Sequence, residues 1–312
     1  MKFHLLKSAV LRLAVVVLLL IFGVFFLIRL VPGDPATIIA GLSASTSTVD
    51  SIREDFQLDR SLGNQLLHYL TGLPRGDLGI SFGSRQPVVK VIFENAGPTL
   101  QLAVVSLLFI GVAGIGAGLA FGALSRTRFA ASAEIVFSVV AGACNAIPHF
   151  LLATVLAFVF AVTLQVFPVA GDSSLAALVL PAIAISVGPA ALIARLCRVR
   201  VLDVLESSYV TAARSKRLGS AQLYATHVLP NALVSAVSML GVVFASLIGG
   251  AVVVEQVFSR RGLGSALVEA VLLHDYPIVQ GITLVVGIAV VLVNFGVDVL
   301  LAFIDPRRGA VQ

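Results

Sequence analysis

The sequence predicts an all-α polytopic membrane protein, on three observations. Of its 312 residues 58% are apolar and only 12% are charged, against about 25% charged in a soluble domain. Mean hydropathy is +1.04. Apolar runs of the roughly 20 residues that a helix needs to cross about 30 Å of hydrocarbon recur along the chain. Six transmembrane helices are read, at 9–30, 97–123, 133–163, 175–195, 232–254 and 279–303.

Lys2, Lys7 and Arg12 flank the start of the first run in the manner of a secretory signal. The apolar stretch nevertheless continues from Leu13 to Ile28, and Val31-Pro-Gly-Asp-Pro35 has no small-residue cleavage pattern, so a retained helix is expected. Residues 31–96 follow as one extramembrane insertion rich in Gly, Ser and Asp. An amphipathic pattern at Val49–Tyr69 makes it a small helical cap. A boundary near Gly97-Pro98 separates this accessory part, 1–96, from a five-span core at 97–308 and a tail at 309–312. Gly111, Gly114, Gly116, Gly118 and Gly122 are expected on one side of the second span, where small residues let helices approach closely. Pro148, Pro181 and Pro189 each remove a backbone donor within or near a span, and kinks are expected there, with broken helices near a pathway as the alternative.

Cytoplasmic loops retain Lys and Arg in excess. With both termini inside, 13 of the 21 Lys and Arg are cytoplasmic: Lys2, Lys7, Arg12, Arg126, Arg128, Arg195, Arg198, Arg200, Arg214, Lys216, Arg217, Arg307 and Arg308. Segment 31–96 sets Arg53, Arg60, Arg75, Arg85 and Lys90 against Asp34, Asp50, Glu54, Asp55, Asp59, Asp77 and Glu94, and belongs outside. The net charge of +5 therefore reflects topology and is no sign of a nucleic-acid partner. Cys144 and Cys197 have no paired spacing, so neither a disulfide nor a metal site is expected.

The chain is not read as an enzyme. It has no G-x-x-x-x-G-K-[ST] phosphate loop, so a nucleotide-driven process requires an ATPase on another chain. Gly79-Ile-Ser81-Phe-Gly83 matches the hydrolase elbow, but that motif works only on a strand–turn–helix that so apolar a chain does not offer. Histidines 4, 68, 149, 227 and 274 show no H-E-x-x-H spacing. Ionisable groups within spans are costly and default to functional candidates. Asp298, in the last span, is read as a structural partner of a loop arginine or as a translocation residue, and His149, after Pro148, is open between packing and pathway.

The strongest signal lies between the fourth and fifth spans. Asp203 to Lys216 alternates polar and apolar residues at helical spacing, Gly219 marks a turn, and a second short helix ends near Pro230. Such a basic hairpin is either a handle for another subunit or a surface helix held to anionic membrane lipid by Arg214, Lys216 and Arg217.

These residues resemble the permease subunits of ABC importers in the dipeptide, oligopeptide and nickel group, over essentially the whole chain. Such permeases carry a cytoplasmic E-A-A-x3-G-x9-I-x-L-P signature, whose two alanines fall on Ala212 and Ala213 and whose Leu-Pro falls on Leu229 and Pro230. Leu30-Val-Pro-Gly-Asp-Pro35, Gly76-Asp-Leu-Gly-Ile-Ser81, Ile147-Pro-His-Phe150 and Phe167-Pro-Val-Ala-Gly171 agree with the group. So do Glu255-Gln-Val-Phe-Ser259, Gly262-Leu-Gly264 and Asp275-Tyr-Pro-Ile-Val-Gln-Gly281. Thr211 stands where glutamate is usual, Arg217 where glycine is expected and His227 where an aliphatic residue sits. Glycine there permits a left-handed turn that costs an ordinary residue about 1 kcal/mol, and Gly219 is expected to take it over.

The resemblance implies a type I importer permease core in the bacterial inner membrane. Its partners would be a second related permease, two ABC ATPases that use ATP and Mg, and a periplasmic or lipid-anchored substrate-binding protein, with no cofactor in this chain. It implies ATPase coupling through the loop at 203–230, with Tyr209, Thr211, Ala212, Ala213, Arg217, Gly219, His227, Leu229 and Pro230 as its residues. Pathway or gate candidates are Asp34, Asp77, His149, Glu255 and Asp298. The cargo is expected to be a di- or oligopeptide. Nickel chelates, glutathione or another small solute are alternatives within the class, and a passive channel or membrane scaffold is the alternative outside it.

Overall fold

A computed structural model describes residues 2–27, 35–40, 45–55, 59–171, 174–215 and 219–304. In chain order its helices are α1 (Lys2–Leu27), α2 (Pro35–Ala40), α3 (Thr46–Asp55), α4 (Leu62–Gly72), α5 (Val88–Leu124), α6 (Ala130–Ala146) and α7 (His149–Leu156). They continue with α8 (Ala176–Glu206), α9 (Ser208–Ser215), α10 (Ser220–Leu223), α11 (Leu229–Val257), α12 (Leu263–Leu272) and α13 (Tyr276–Ile304). Two π-helical segments, Ala157–Thr163 and Tyr224–Val228, extend α7 and lead into α11. Among the described residues there is no β-strand, only an isolated bridge between Ile80 and Pro87.

Four helices among the described residues are long and apolar enough to cross a membrane: Val88–Leu124, Ala176–Glu206, Tyr224–Val257 and Tyr276–Val297. The apolar run of α1, Val10–Phe26, is shorter. The single span expected at 133–163 is instead a broken pair, α6 and α7 with its π extension, bent by 93°. Pro148 explains the break: a residue before proline is pushed out of the helical region, and Ile147 sits at φ −76°, ψ 121°. Pro181 and Pro189 carry the same local signal, yet α8 runs through both. Helix α8 is buried at Leu180, Ala184, Ile185, Gly188 and Ile193, so packing on several sides keeps it helical where proline removes a bond.

The contacts divide the chain into two units, Pro98–Arg260 with the stretch from Val293, and Phe3–Gly97 with Arg261–Leu292. In the first unit α8 is the central helix and packs on α6, α7 and α11. Leu102, Ile110, Ile185, Ile193, Leu247 and Val254 form its core. Lipid tails are as apolar as leucine, so close van der Waals contact, and not removal from water, drives such packing. The seam of α5 on α8 shows this. A Cβ at Gly114, Gly118 or Gly122 would come within 2.8, 2.5 and 2.5 Å of Ile193, Cys197 and Val201. Gly116 faces open space and Gly111 meets Leu240 only at 3.8 Å, so the five glycines do not share one face as expected.

In the second unit Val88, Ile92, Leu263, Ala270, Ile278 and Ile282 form the core. Gly281 approaches Val88 and Gly287 approaches Leu20, each to 2.5 Å from an added Cβ. The amphipathic pattern at Val49–Tyr69 is carried by two helices, α3 and α4. Ser61 separates them by accepting a hydrogen bond from Asn64 N at the start of α4.

Candidate functional site

Helices α9 and α10 with the π turn form the hairpin between α8 and α11. Val204, Leu205, Val210, Ala213, Leu223 and Val228 turn inward, joining Cys197, Val201 and Ala232 in one cluster against Ile115 and Leu119. The π turn makes this register possible. Hydrogen bonds from residue i to i+5 bring Leu223 and Val228, five residues apart, onto one face. The two arms meet again at Tyr209 and His227, whose rings are 6.0 Å apart at 62°. Asn231 Nδ2 donates to His227 O at 2.6 Å and to Tyr209 Oη at 3.4 Å.

The hairpin is thus packed as an extension of α8, with an exposed face among its described residues. Tyr209, Ala212, Ser215, Gly219, Gln222, Ala225, Thr226 and Pro230 are exposed, His227 and Leu229 are half-buried, and Ala213 is only 7% exposed. Thr211 lies on α9. Arg217, and with it the turn that Gly219 was expected to form, lies outside the described residues.

A second polar centre lies in the Phe3–Gly97 and Arg261–Leu292 unit. Asp275, 3% exposed, accepts from Ser81 Oγ at 2.5 Å, Phe82 N at 3.1 Å and Gly83 N at 3.1 Å. Ser84 N donates to Ser81 Oγ at 2.9 Å. The Ser81 hydroxyl is fully buried against a carboxylate in a loop, not on the strand–turn–helix that the hydrolase elbow needs. Asp77 shapes the same loop by accepting from Gly79 N at 2.9 Å, with Gly76 and Gly79 at φ 73° and 86°.

The remaining candidates do not converge. Glu255 is fully buried and accepts from Thr99 Oγ1 at 2.6 Å, which makes it part of the packed interior of its unit. His149 opens α7, with its ring edge 3.6 Å from an added Cβ at Gly188 and 3.8 Å from one at Gly250. It lines a cavity of about 250 Å³ with Asn145, Ala146, Ile147, Pro148, Gly188 and residues of α8 and α11. Asp298 lies on α13. Asp34 is outside the described residues.

Residues 110–309 match the model of a family described as the binding-protein-dependent transport system inner membrane component. The chain belongs to this family. Residues 1–103 match the companion model for the N-terminal part of the same membrane component. The permease is 36% identical over 283 residues to the glutathione transport system permease protein GsiC of Escherichia coli O6:H1, covering 91% of each chain. The protein of that name from Escherichia coli K12 is 35% identical over the same shares. Two inward-facing crystal forms of the MetNI methionine ABC transporter resemble it with TM-scores of 0.55 and 0.54 at 19% and 20% identity. Each covers 69% of this chain and 96% of the other. At that identity the likeness is one of fold.

The chain is accordingly a membrane-embedded permease subunit of a binding-protein-dependent ABC importer, related in sequence to glutathione permeases. Sequence reasoning placed Ser81 and Asp275 in separate outer segments without joining them, because their 194-residue separation leaves no local signal. It also missed Thr99, Asn145 and the glycines flanking His149; the proline before His149 was the one available pointer.

Proposed function

We propose that this permease imports a short peptide-type solute, with glutathione the first to test, and that the hairpin at 203–230 is where separate ATPases drive it. The observation that carries the coupling reading is the buried cluster of Val204, Val210, Ala213, Leu223 and Val228, which makes the hairpin one packed body with the end of α8. Force applied to the exposed face at Tyr209, Ala212 and Gln222 then moves α8 instead of dissipating in a loose loop. Support for the cargo comes from the glutathione permeases of 35–36% identity.

In this reading α1 and the broken α6–α7 pair complete a set of six spans, with both termini and the hairpin in the cytoplasm, which the excess of Lys and Arg in those segments supports. Residues 1–96 are accessory, 97–308 form the permease core and 309–312 are a tail. A second permease closes the pathway. Two ATPases bind ATP and Mg, and a substrate-binding protein docks from outside, near the loops that hold Asp34 and Asp77.

The test is purification of the chain from its native membrane in mild detergent, with identification of what accompanies it, repeated with Ala212→Asp. The intact chain is expected to bring a second permease and ATPases, and the variant to lose the ATPases alone. ATPases retained by the variant would remove the coupling face from Ala212. Uptake of a nickel chelate in place of glutathione by the assembled transporter would overturn the cargo.

A further inference from the structure

The break between α6 and α7 creates a feature that helix packing alone does not use. The extended backbone at Ile147 and Pro148 lies beside the middles of α8 and α11. Gly188 is twelve residues into α8, about 18 Å at 1.5 Å per residue. Non-helical backbone at that depth persists only where protein buries it or where it lines a wet cavity. Here it lines the cavity of about 250 Å³, together with Asn145, His149, Gly188, Val243 and Ser246.

Two side chains in this notch have unspent hydrogen-bonding capacity. Neither the His149 imidazole nor the Asn145 carboxamide makes a hydrogen bond among the described residues. Ser246 donates to Val243 O at 2.7 Å, which leaves its oxygen as an acceptor. The imidazole lies between Gly188 and Gly250, where an added Cβ would come to 3.6 and 3.8 Å of its two edges, so the bare glycines leave room beside the ring. A half-buried ionisable group at a break between apolar spans, with no hydrogen bond of its own, is a candidate for a partner that the fold does not supply.

We infer that the notch is a passage site for a carboxylate of the imported solute, which accepts from an N–H of His149 and from the Asn145 amide. The inference rests on the peptide-import reading. The cavity is smaller than the roughly 300–1,000 Å³ of sites that enclose a whole ligand, so it takes one end of a peptide. None of its lining residues is Asp, Glu, Lys or Arg. The carboxylate therefore meets dipoles and no fixed cation, which suits a site that must release what it holds. Broken helices whose ends line such a site are the usual way a membrane transporter offers polar groups at mid-depth.

The experiment uses the complete transporter, with both permeases, ATPases and binding protein, in proteoliposomes. Uptake of glutathione is compared with uptake of its diethyl ester by the wild-type chain and by His149→Leu, His149→Gln and Asn145→Ala. The same binding protein serves every arm, so its own selectivity cancels in the ratios. Wild type is expected to favour the free acid, His149→Leu to lose about tenfold of that preference, and His149→Gln, which keeps a donor, to recover most of it. Asn145→Ala, at an exposed position that needs no repacking, is expected to reduce the preference in the same direction and carries the test if His149→Leu does not assemble. Glutathione uptake with the preference unchanged in all variants would overturn the notch and leave the peptide reading standing. No uptake of either compound by wild type would overturn glutathione as the cargo and, with it, the notch as the site of its carboxylate.

Discussion

Replacing Gly118 by alanine adds a single methyl group in the middle of the α5–α8 seam. Its Cβ would lie 2.5 Å from Cys197 Cβ, 2.7 Å from Ala194 O and 3.1 Å from Arg198 N. Carbon atoms rest about 3.5–4.0 Å apart, so the helices must separate by roughly 1 Å. Two of the three neighbours are backbone atoms, and no rotamer change relieves them. Gly114 and Gly122, one turn to either side, would bring an added Cβ to 2.8 and 2.5 Å of α8, so opening the seam at one point forfeits contact along its length. Overpacking of this kind costs about 1–3 kcal/mol.

Gly116→Ala is the matched control, since its Cβ meets nothing within 4 Å. Both substitutions gain the same roughly 0.5–1 kcal/mol of helix propensity. Their difference in stability therefore isolates the steric cost, and about 1–3 kcal/mol is expected. Cys197 is fully buried at the contact and serves as a reporter once the half-buried Cys144 is replaced by serine. Thermal unfolding of the detergent-solubilised chain and the rate of maleimide labelling at Cys197 are the two readouts. Equal unfolding temperatures and equal labelling rates for Gly118→Ala and Gly116→Ala would refute the seam.

Asp275→Asn removes the charge that three donors converge on and turns an N–H₂ toward at least one of them. A loss of about 1.5–3 kcal/mol is expected, seen as faster proteolysis within 76–87. His274 holds φ 54° at the end of α12, where a β-branched residue is strained. His274→Val should lower stability by about 1–2 kcal/mol and His274→Gly should not, by thermal unfolding. Ala213→Asp places a carboxylate inside the hairpin cluster at a cost of about 3–5 kcal/mol and should expose 208–230 to protease, whereas Ala212→Asp, on the free face, should leave that segment protected.

What hydropathy could and could not reveal has a physical boundary in this chain. Summed apolarity over a window measures whether a segment suits lipid, and it found the long helices, but it does not register the direction of the backbone. The third span shows the difference. Pro148, Pro181 and Pro189 have the same local chemistry, yet only Pro148 breaks its helix. Helix α8 around the other two is buried on several faces, while Asn145, Ala146, Ile147 and Pro148 are exposed. The glycine seam was closer to reach. At 100° per residue, Gly116 lies about 200° from Gly114, so rotation alone excludes it from the face that Gly118 and Gly122 share.

The hairpin marks the opposite limit. Its motif residues were recognisable at Ala212, Ala213, Leu229 and Pro230, but which alanine faces inward depends on packing against α8 and on the π turn at Tyr224–Val228, and no periodic pattern announces an i+5 register. That register also bears on function. A hairpin joined to α8 only through flexible connections would let an ATPase move without moving the spans. One whose Val210, Ala213, Leu223 and Val228 are packed against Cys197 and Val201 must carry α8 with it. Because α8 also bears Gly188 on the wall of the notch, the proposed coupling face at Ala212 and the residues around His149 are joined by a single helix.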